Sequence, residues 1–295
     1  MEDAAVVVGV GGVRVGVEEG TSAGGDADTI SLLRRHLGDQ GGLLALFDGH
    51  AGRVAADAAA SHVVPVLAKL LQEVGEEEGA GGTGLDAVPL SATPCPLHAL
   101  GSRWMLGLQE QLEADESVPG HAGATAVVVA VSAGGRVVVA NAGDARALAV
   151  HATADGGADG ASAVRLTYDH VASDEAEAER IRAAGGFVKD GRVNGQLAVT
   201  RCLGDALVKR YVVADPYVHV GALSGDVTHL IVACDGVFDV FTDDEVATFV
   251  GSALADAAAR AESVSYPALA DALLAAALDR GTTDNLSLLI LPAQT

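Results

Sequence analysis

Four aspartates stand where a carboxylate could meet a ligand. Asp48 closes the apolar run Leu43 to Phe47, within Phe47-Asp48-Gly49-His50. Asp235 closes the run ending Ala233-Cys234, within Cys234-Asp235-Gly236-Val237-Phe238-Asp239. Asp144 follows the run ending at Ala140, within Asn141-Ala142-Gly143-Asp144, and Asp284 precedes the last apolar run, within Thr283-Asp284-Asn285. A carboxylate at a strand end beside glycine can point at a ligand while the neighbouring backbone stays open. Oxygen-only sets of this kind suit Mg2+ or Mn2+, which take carboxylate, carbonyl and water oxygens. Asp-Gly and Asp-Asn are also ordinary turn formers, so each aspartate taken singly reads first as turn chemistry, and the set as either. His50, two residues beyond Asp48, reads as a structural histidine or as a proton donor, a role that suits an imidazole.

The elements that must position these groups are legible in part. Ala4 to Val17 alternates Val with Gly or Arg and predicts one or two strands with a turn at Gly11-Gly12. Residues 18–28 are rich in Gly, Glu and Asp and predict a loop. Leu43 to Phe47 predicts a buried strand. Val54, Ala58, Val63, Leu67, Leu70, Leu71 and Val74 recur at helical spacing, with Pro65 expected to kink or divide that helix. Residues 75–102 hold a Glu run, a Gly cluster and three prolines, and read as a surface insertion within one domain spanning 1–295. A helix is expected over 97–113. Residues 124–131 and 136–140, joined by Ser132-Ala133-Gly134-Gly135, predict a hairpin, and 145–150 the next strand. Residues 153–162 read as a loop. Ser173 is expected to cap a helix over 173–184, stopped by Gly185-Gly186. Residues 227–233 predict a strand, Thr242-Asp243-Asp244-Glu245 a capping box opening a helix to about 255, Pro267 the start of another, and 286–291 a last strand. Early hairpins with helices between them predict an α+β protein of antiparallel sheets covered by helices.

Composition narrows the function classes. The 295-residue chain is 49% hydrophobic and 20% charged, which is globular, and only 3% aromatic, so small aliphatic side chains must fill its core. Its formal net charge of −22 repels nucleic-acid backbones. Three cysteines, Cys95, Cys202 and Cys234, form no Cys-x-x-Cys, which argues against structural zinc or a disulfide framework. The start Met1-Glu2-Asp3 is acidic where a targeting peptide would be basic, and no uninterrupted apolar run approaches a membrane span. A monomer in the cytoplasm or nucleus, with no nucleic-acid or membrane partner, is the expectation.

Asp48-Gly49-His50-Ala51-Gly52 resembles a block of the metal-dependent serine/threonine protein phosphatases, the protein phosphatase 2C family. Further blocks follow in that family's order: Met1-Glu2-Asp3, Gly123-Ala124-Thr125-Ala126, Asn141 to Arg146, Leu166 to His170, Glu179 to Gly186, Arg192 to Asp205, Cys234 to Val240 and Thr283 to Ser287. The resemblance covers essentially the whole chain. It implies a central sandwich of two antiparallel sheets flanked by helices on both outer faces, with a pair of Mg2+ or Mn2+ ions in a cleft at one end. It implies that Asp48 bridges both ions, that the Gly49 carbonyl and Glu2 complete one site, and that Asp235 and Asp284 complete the other. Asp144 and Asp239 resemble ligands of a third, weaker site, and Asp3 an acidic residue bonded to metal-bound water. A flap near 170–195 would shape substrate choice.

The chemistry implied is hydrolysis of phosphoserine and phosphothreonine in proteins. Phosphate monoesters hydrolyse very slowly unaided. Two cations roughly 3.5–4 Å apart can generate a bridging hydroxide near neutral pH and neutralise the phosphoryl oxygens. Within this motif His50 is the expected general acid. No Cys-x5-Arg phosphate loop occurs, which removes the cysteine-based phosphatases. The family's phosphate-gripping Arg, four residues before the Glu of Met-Glu-Asp, and its first strand would both fall before Met1, and Arg14 is the candidate substitute. The alternative is a catalytically weak relative that acts as a binding or regulatory module.

Overall fold

The computed structural model describes residues 2–9, 27–77, 84–91, 95–152 and 161–293. The expected Gly11-Gly12 turn and Arg14 lie outside them, as do residues 153–160 of the expected loop. One sheet runs in the order β1 (Ala4–Gly9), β2 (Gly42–His50), β3 (Gly123–Val131), β4 (Arg136–Ala142) and β10 (Tyr217–Ala222), with β9 (Leu203–Gly204) pairing with β3. The other runs β12 (Leu288–Pro292), β11 (Val227–Ala233), β5 (Arg146–Ala152) and β6 (Ala161–Arg165). All these pairings are antiparallel. A small hairpin, β7 (Val188–Lys189) and β8 (Arg192–Val193), stands apart.

Strand alternation sorts the core into layers. In β2, Leu43, Ala45 and Phe47 join one cluster with α2 (Val54–Glu77) and α3 (Pro96–Ala114). Leu44 and Leu46 point the other way, into a cluster with Val127, Val129, Ala147, Ala149, Val232 and Cys234 from both sheets. On the far side, Leu148, Ile231 and Ile290 pack with Val246, Val250, Leu269 and Leu273 of α6 (Asp243–Ala259) and α7 (Tyr266–Asp279). Helices, sheet, sheet and helices form four layers, the αββα architecture expected of the resemblance. Nearly all the inter-sheet side chains are Val, Leu and Ala, so two faces about 10 Å apart close on one another with few aromatic side chains.

The hairpin joins β3 to β4 at Val131↔Val137, and the α6 capping box is complete: Thr242 accepts from the Glu245 N–H while Glu245 accepts from that of Thr242. Elsewhere the structure corrects the sequence reading. α2 runs undivided through Pro65, because the Ser61 carbonyl that loses its donor sits on the exposed side of the helix. Its stretch Val54–Val74 is long and apolar enough to cross a membrane by length and composition, yet more than half of it is buried, as the core helix against β2 and α3. The cap of α4 (Glu175–Ala183) is Asp174 and not Ser173: its carboxylate accepts from the N–H groups of Ala176 and Glu177. The predicted loop over 18–28 ends in the first residues of α1 (Ala27–Leu37), and Ser162 of the loop over 153–162 lies in β6. Within 75–102, α2 extends to Glu77, a 3₁₀ turn forms at Leu85–Ala87, and α3 starts at Pro96; Leu85 and Val88 are buried.

Candidate metal centre

One end of the inter-sheet layer is closed by polar groups. Asp48 is next in the β2 row after Leu44 and Leu46, so it faces the other sheet. Thr125 is its direct partner on β3. β1 pairs Ala4 with Phe47, which places buried Asp3 beside Asp48 at the strand's entry. From the opposite sheet, Cys234 ends the inward row of β11 and Asp235 opens the short helix α5 (Asp235–Phe238). Asp48, Cys234 and Asp235 each bring a ligand-capable atom within 4.8 Å of the others. Asp284 reaches this corner because Gly236 leaves room: a Cβ there would lie 2.3 Å from the Asn285 carbonyl and 3.2 Å from Asp284. At Gly49 a Cβ would lie 2.3 Å from the Glu2 carbonyl oxygen, so the absent side chain is what lets residue 2 lie against the end of β2.

The electrostatics of this corner suit a cation. Burial, then the charges of Asp3 and Asp235, push the Asp48 carboxyl up to about 9. Burial and the Asp235 charge raise Asp144 to about 7, with Asp239 contributing. Asp235 is raised by burial, then by Asp284 and Asp239. Six carboxylates thus sense one another: Asp3, Asp48, Asp144, Asp235, Asp239 and Asp284. Asp3 Oδ1, Asp235 Oδ1 and Thr125 Oγ1 are buried with no hydrogen-bond partner among the described residues. Buried polar atoms are normally paired, and orphaned carboxylate oxygens beside like charges fit hard divalent cations. Cys234 does not compete as a thiolate. Burial holds its thiol well above the ordinary range, and its sulfur accepts from the Ser287 N–H at 3.2 Å.

Comparison with known proteins agrees with that chemistry. The family description Protein phosphatase 2C matches residues 28–286. The chain belongs to the protein phosphatase 2C family. It is 32% identical over 256 residues to Probable protein phosphatase 2C 59 of Oryza sativa subsp. japonica, covering 86% of this chain and 67% of that protein. It is 34% identical over 265 residues to Probable protein phosphatase 2C 8 of the same organism, covering 84% and 62%. The chain spans about two thirds or less of the length of these relatives. The crystal structure of a serine-threonine phosphatase 2C from Toxoplasma gondii superposes with a TM-score of 0.66 at 21% identity, over 98% of this chain and 94% of that one, a likeness of fold.

This protein phosphatase 2C domain also holds site residues that sequence reasoning passed over. His50 Nε2 lies 2.5 Å from Oδ2 of buried Asp205, and Gly123 between them has no room for a side chain. His50 Nδ1 is left without a protein partner among the described residues. The motif ending Leu203-Gly204-Asp205 was visible, but nothing in its spacing tied it to His50, 155 positions away. Ser287 Oγ donates to Asp3 Oδ2 at 2.7 Å, orienting the carboxylate whose other oxygen is orphaned. Arg146 forks onto Asp169 at 2.6 and 3.1 Å and reaches Asp243 at 2.9 Å, while Arg165 bonds both acids from the other side. That network ties the start of β5, just after Asp144, to the start of α6. Gly143 donates its N–H to His170 Nδ1 at 3.2 Å, and burial, then the Arg201 charge, lowers His170 to about 4, keeping it neutral.

Proposed function

We propose that this domain hydrolyses phosphoserine and phosphothreonine monoesters in proteins with Mg2+ or Mn2+ bound at the carboxylate corner. The observation that carries the reading is the meeting of Asp48 with Asp235 at one end of a protein phosphatase 2C sandwich, where Asp3 Oδ1 and Asp235 Oδ1 are buried with no hydrogen-bond partner among the described residues. Asp48, Asp235 and Asp284 would hold the ions with Glu2 and the Gly49 carbonyl, and Asp144 and Asp239 a third. Bound divalent ions supply charge neutralisation at the phosphoryl oxygens and a water activated for attack on phosphorus. The chain's own groups do the rest. Asp3, fixed by Ser287, accepts a hydrogen bond from water entering the corner. His50, held by Asp205, passes a proton to the seryl or threonyl oxygen as its bond to phosphorus breaks, so the alcohol leaves neutral. All three cysteines are free, which supports a reducing compartment, and the net charge of −22 supports a protein that does not bind nucleic acid. The test is release of phosphate from a phosphoserine peptide before and after exhaustive chelation, then with Mg2+ or Mn2+ restored. Activity should vanish and return; full activity in the chelated protein would overturn the reading.

A further inference from the structure

The chain between β6 and β10 hangs from both walls of the metal corner. At one root His170 is bonded to Gly143, next to Asp144. At the other, β9 pairs with β3 and Asp205 holds His50. Between the roots the segment encloses a small core of its own, with Ala172, Ile181, Val193, Val199, Cys202 and Val212. The β7–β8 hairpin lies on this unit in the register Val188↔Val193 and Lys189↔Arg192. The two valines turn inward onto that core. Alternation therefore puts Lys189 and Arg192 side by side on the outer face, with Phe187, 54% exposed, on the same side.

Like charges directly opposite in a ladder repel. Neither Lys189 nor Arg192 has a carboxylate at ion-pair distance among the described residues; Arg192 donates to the Gln196 carbonyl at 2.8 Å. Arg210 is in the same condition. It stacks on the Tyr211 ring at 5.8 Å and lies against Gly185, at the entry to the hairpin. Arginines elsewhere, such as Arg146, Arg165, Arg201 and Arg280, each hold a carboxylate. The contrast matters in a chain with 40 acidic and 18 basic residues. Seven of those 18 fall between positions 180 and 210; Arg180, Arg182 and Arg201 hold Glu177 or Glu175 and Lys209 bonds the Cys202 carbonyl, which leaves Lys189, Arg192 and Arg210 as cations with no carboxylate at ion-pair distance among the described residues. A surface this acidic repels anionic partners everywhere except at such a local reversal of sign.

We propose that the outer face of the β7–β8 hairpin, with Phe187, Lys189, Arg192 and Arg210, docks acidic groups that flank the phosphorylated residue of the substrate protein. The inference rests on the phosphatase reading and names its substrate class: phosphoserine or phosphothreonine in an acidic context, where the neighbouring anions are carboxylates or further phosphates. Phe187 offers apolar contact to the peptide, and the three cations meet its charges. Because the cations are exposed, they act on capture of the substrate more than on bond breaking.

The experiment compares three phosphoserine peptides, flanked by Ala, by Glu or by a second phosphoserine, with p-nitrophenyl phosphate as a substrate that cannot reach the hairpin. The native domain should prefer the Glu-flanked or doubly phosphorylated peptide over the Ala-flanked one, and which of the two is favoured identifies the source of the anion. The double variant Lys189→Glu/Arg192→Glu should lower kcat/KM on the preferred peptide about tenfold, mainly through KM, while the aryl phosphate and the Ala-flanked peptide stay within about twofold. An equal loss on every substrate, or no preference in the native domain, overturns the proposal. Peptide binding by fluorescence anisotropy to the metal-free protein reads the same surface without catalysis. If p-nitrophenyl phosphate is not hydrolysed but the anisotropy preference persists and is lost in the variant, the phosphatase reading fails and the docking surface stands.

Discussion

At the residue scale the carboxylate corner behaves as one unit. Asp48 and Asp144, held at about 9 and about 7, keep protons in the folded, metal-free protein that the unfolded chain has already released. The folded state therefore binds more protons between the ordinary carboxylate range and those values, and metal-free stability falls as pH rises through that window. Buried His170 and His229, each lowered to about 4, act in the opposite sense: folding keeps them neutral, so stability is lost as pH falls below their ordinary range. The two effects oppose each other up to the ordinary histidine range, and above it the carboxyls act alone, so metal-free stability should fall from about pH 7 to about pH 9. Asp48→Asn should flatten the decline between pH 7 and 9 and raise the metal-free Tm at pH 8, as read by calorimetry; an unchanged slope would remove Asp48 as its source. Asp235→Asn keeps the shape of the side chain and removes a charge that offsets a cation. Even outer-shell partners of a metal cost about 10–100-fold when lost, so this variant should lose more than roughly 100-fold in kcat on a phosphopeptide. Retained turnover at saturating Mn2+ would mean that Asp235 is not a ligand.

At the element scale, function depends on how the 170–213 unit is fastened to the sandwich. Glu177, nearly buried on α4, accepts from Arg180 at 3.0 Å, Arg201 at 2.6 Å and Thr200 at 2.8 Å. Burial pushes this carboxyl up, and the bonds from Arg201, Arg180 and Thr200 outweigh it and hold it at about 2. Its stabilising contribution is present above the ordinary glutamate range and is lost as pH falls towards 2. Removing one partner from a buried, bonded pair costs about 3–5 kcal/mol. Glu177→Ala should therefore destabilise this unit by roughly 3 kcal/mol, seen as lost amide-exchange protection at Ile181 and Val193 before the sandwich strands open. Protection lost equally in both regions would show that the unit and the sandwich unfold together.

The whole molecule places its largest electrostatic cost at one end. Opposing carboxylates from the two sheets meet there, so cations that bind the folded domain and not the unfolded chain should hold the sheets together. With Mn2+ at about 100 times its Kd, the linkage contributes about 2.7 kcal/mol, which in a domain of this size is a rise in Tm of roughly 5 °C or more. A thermal melt with and without the ion checks this, and an unchanged Tm would mean that the corner does not bind it.

Much of this protein was written locally. Strands 227–233 and 123–131, the hairpin at 132–135 and the Thr242 capping box follow from alternation, turn residues and side-chain capping, which act over a few residues. The aspartates stand out because each lies beside the end or the start of an apolar run. The helix α1 is not among the predicted elements, although its buried Leu33 and Leu37 lie at helical spacing. Other features had no local signal. The strand β10, half-buried at a sheet edge, exists because β4 offers it a partner, and β9 because β3 does. The pairing of His50 with Asp205, and of Ser287 with Asp3, joins residues 155 and 284 positions apart. Sequence by itself determined which side chains could hold a divalent cation and which faces of the strands were apolar. Only the packing of two sheets decided that Asp3, Asp48 and Thr125 from one and Asp235 from the other would share a corner, because strand alternation fixes the direction of a side chain and not what it will meet.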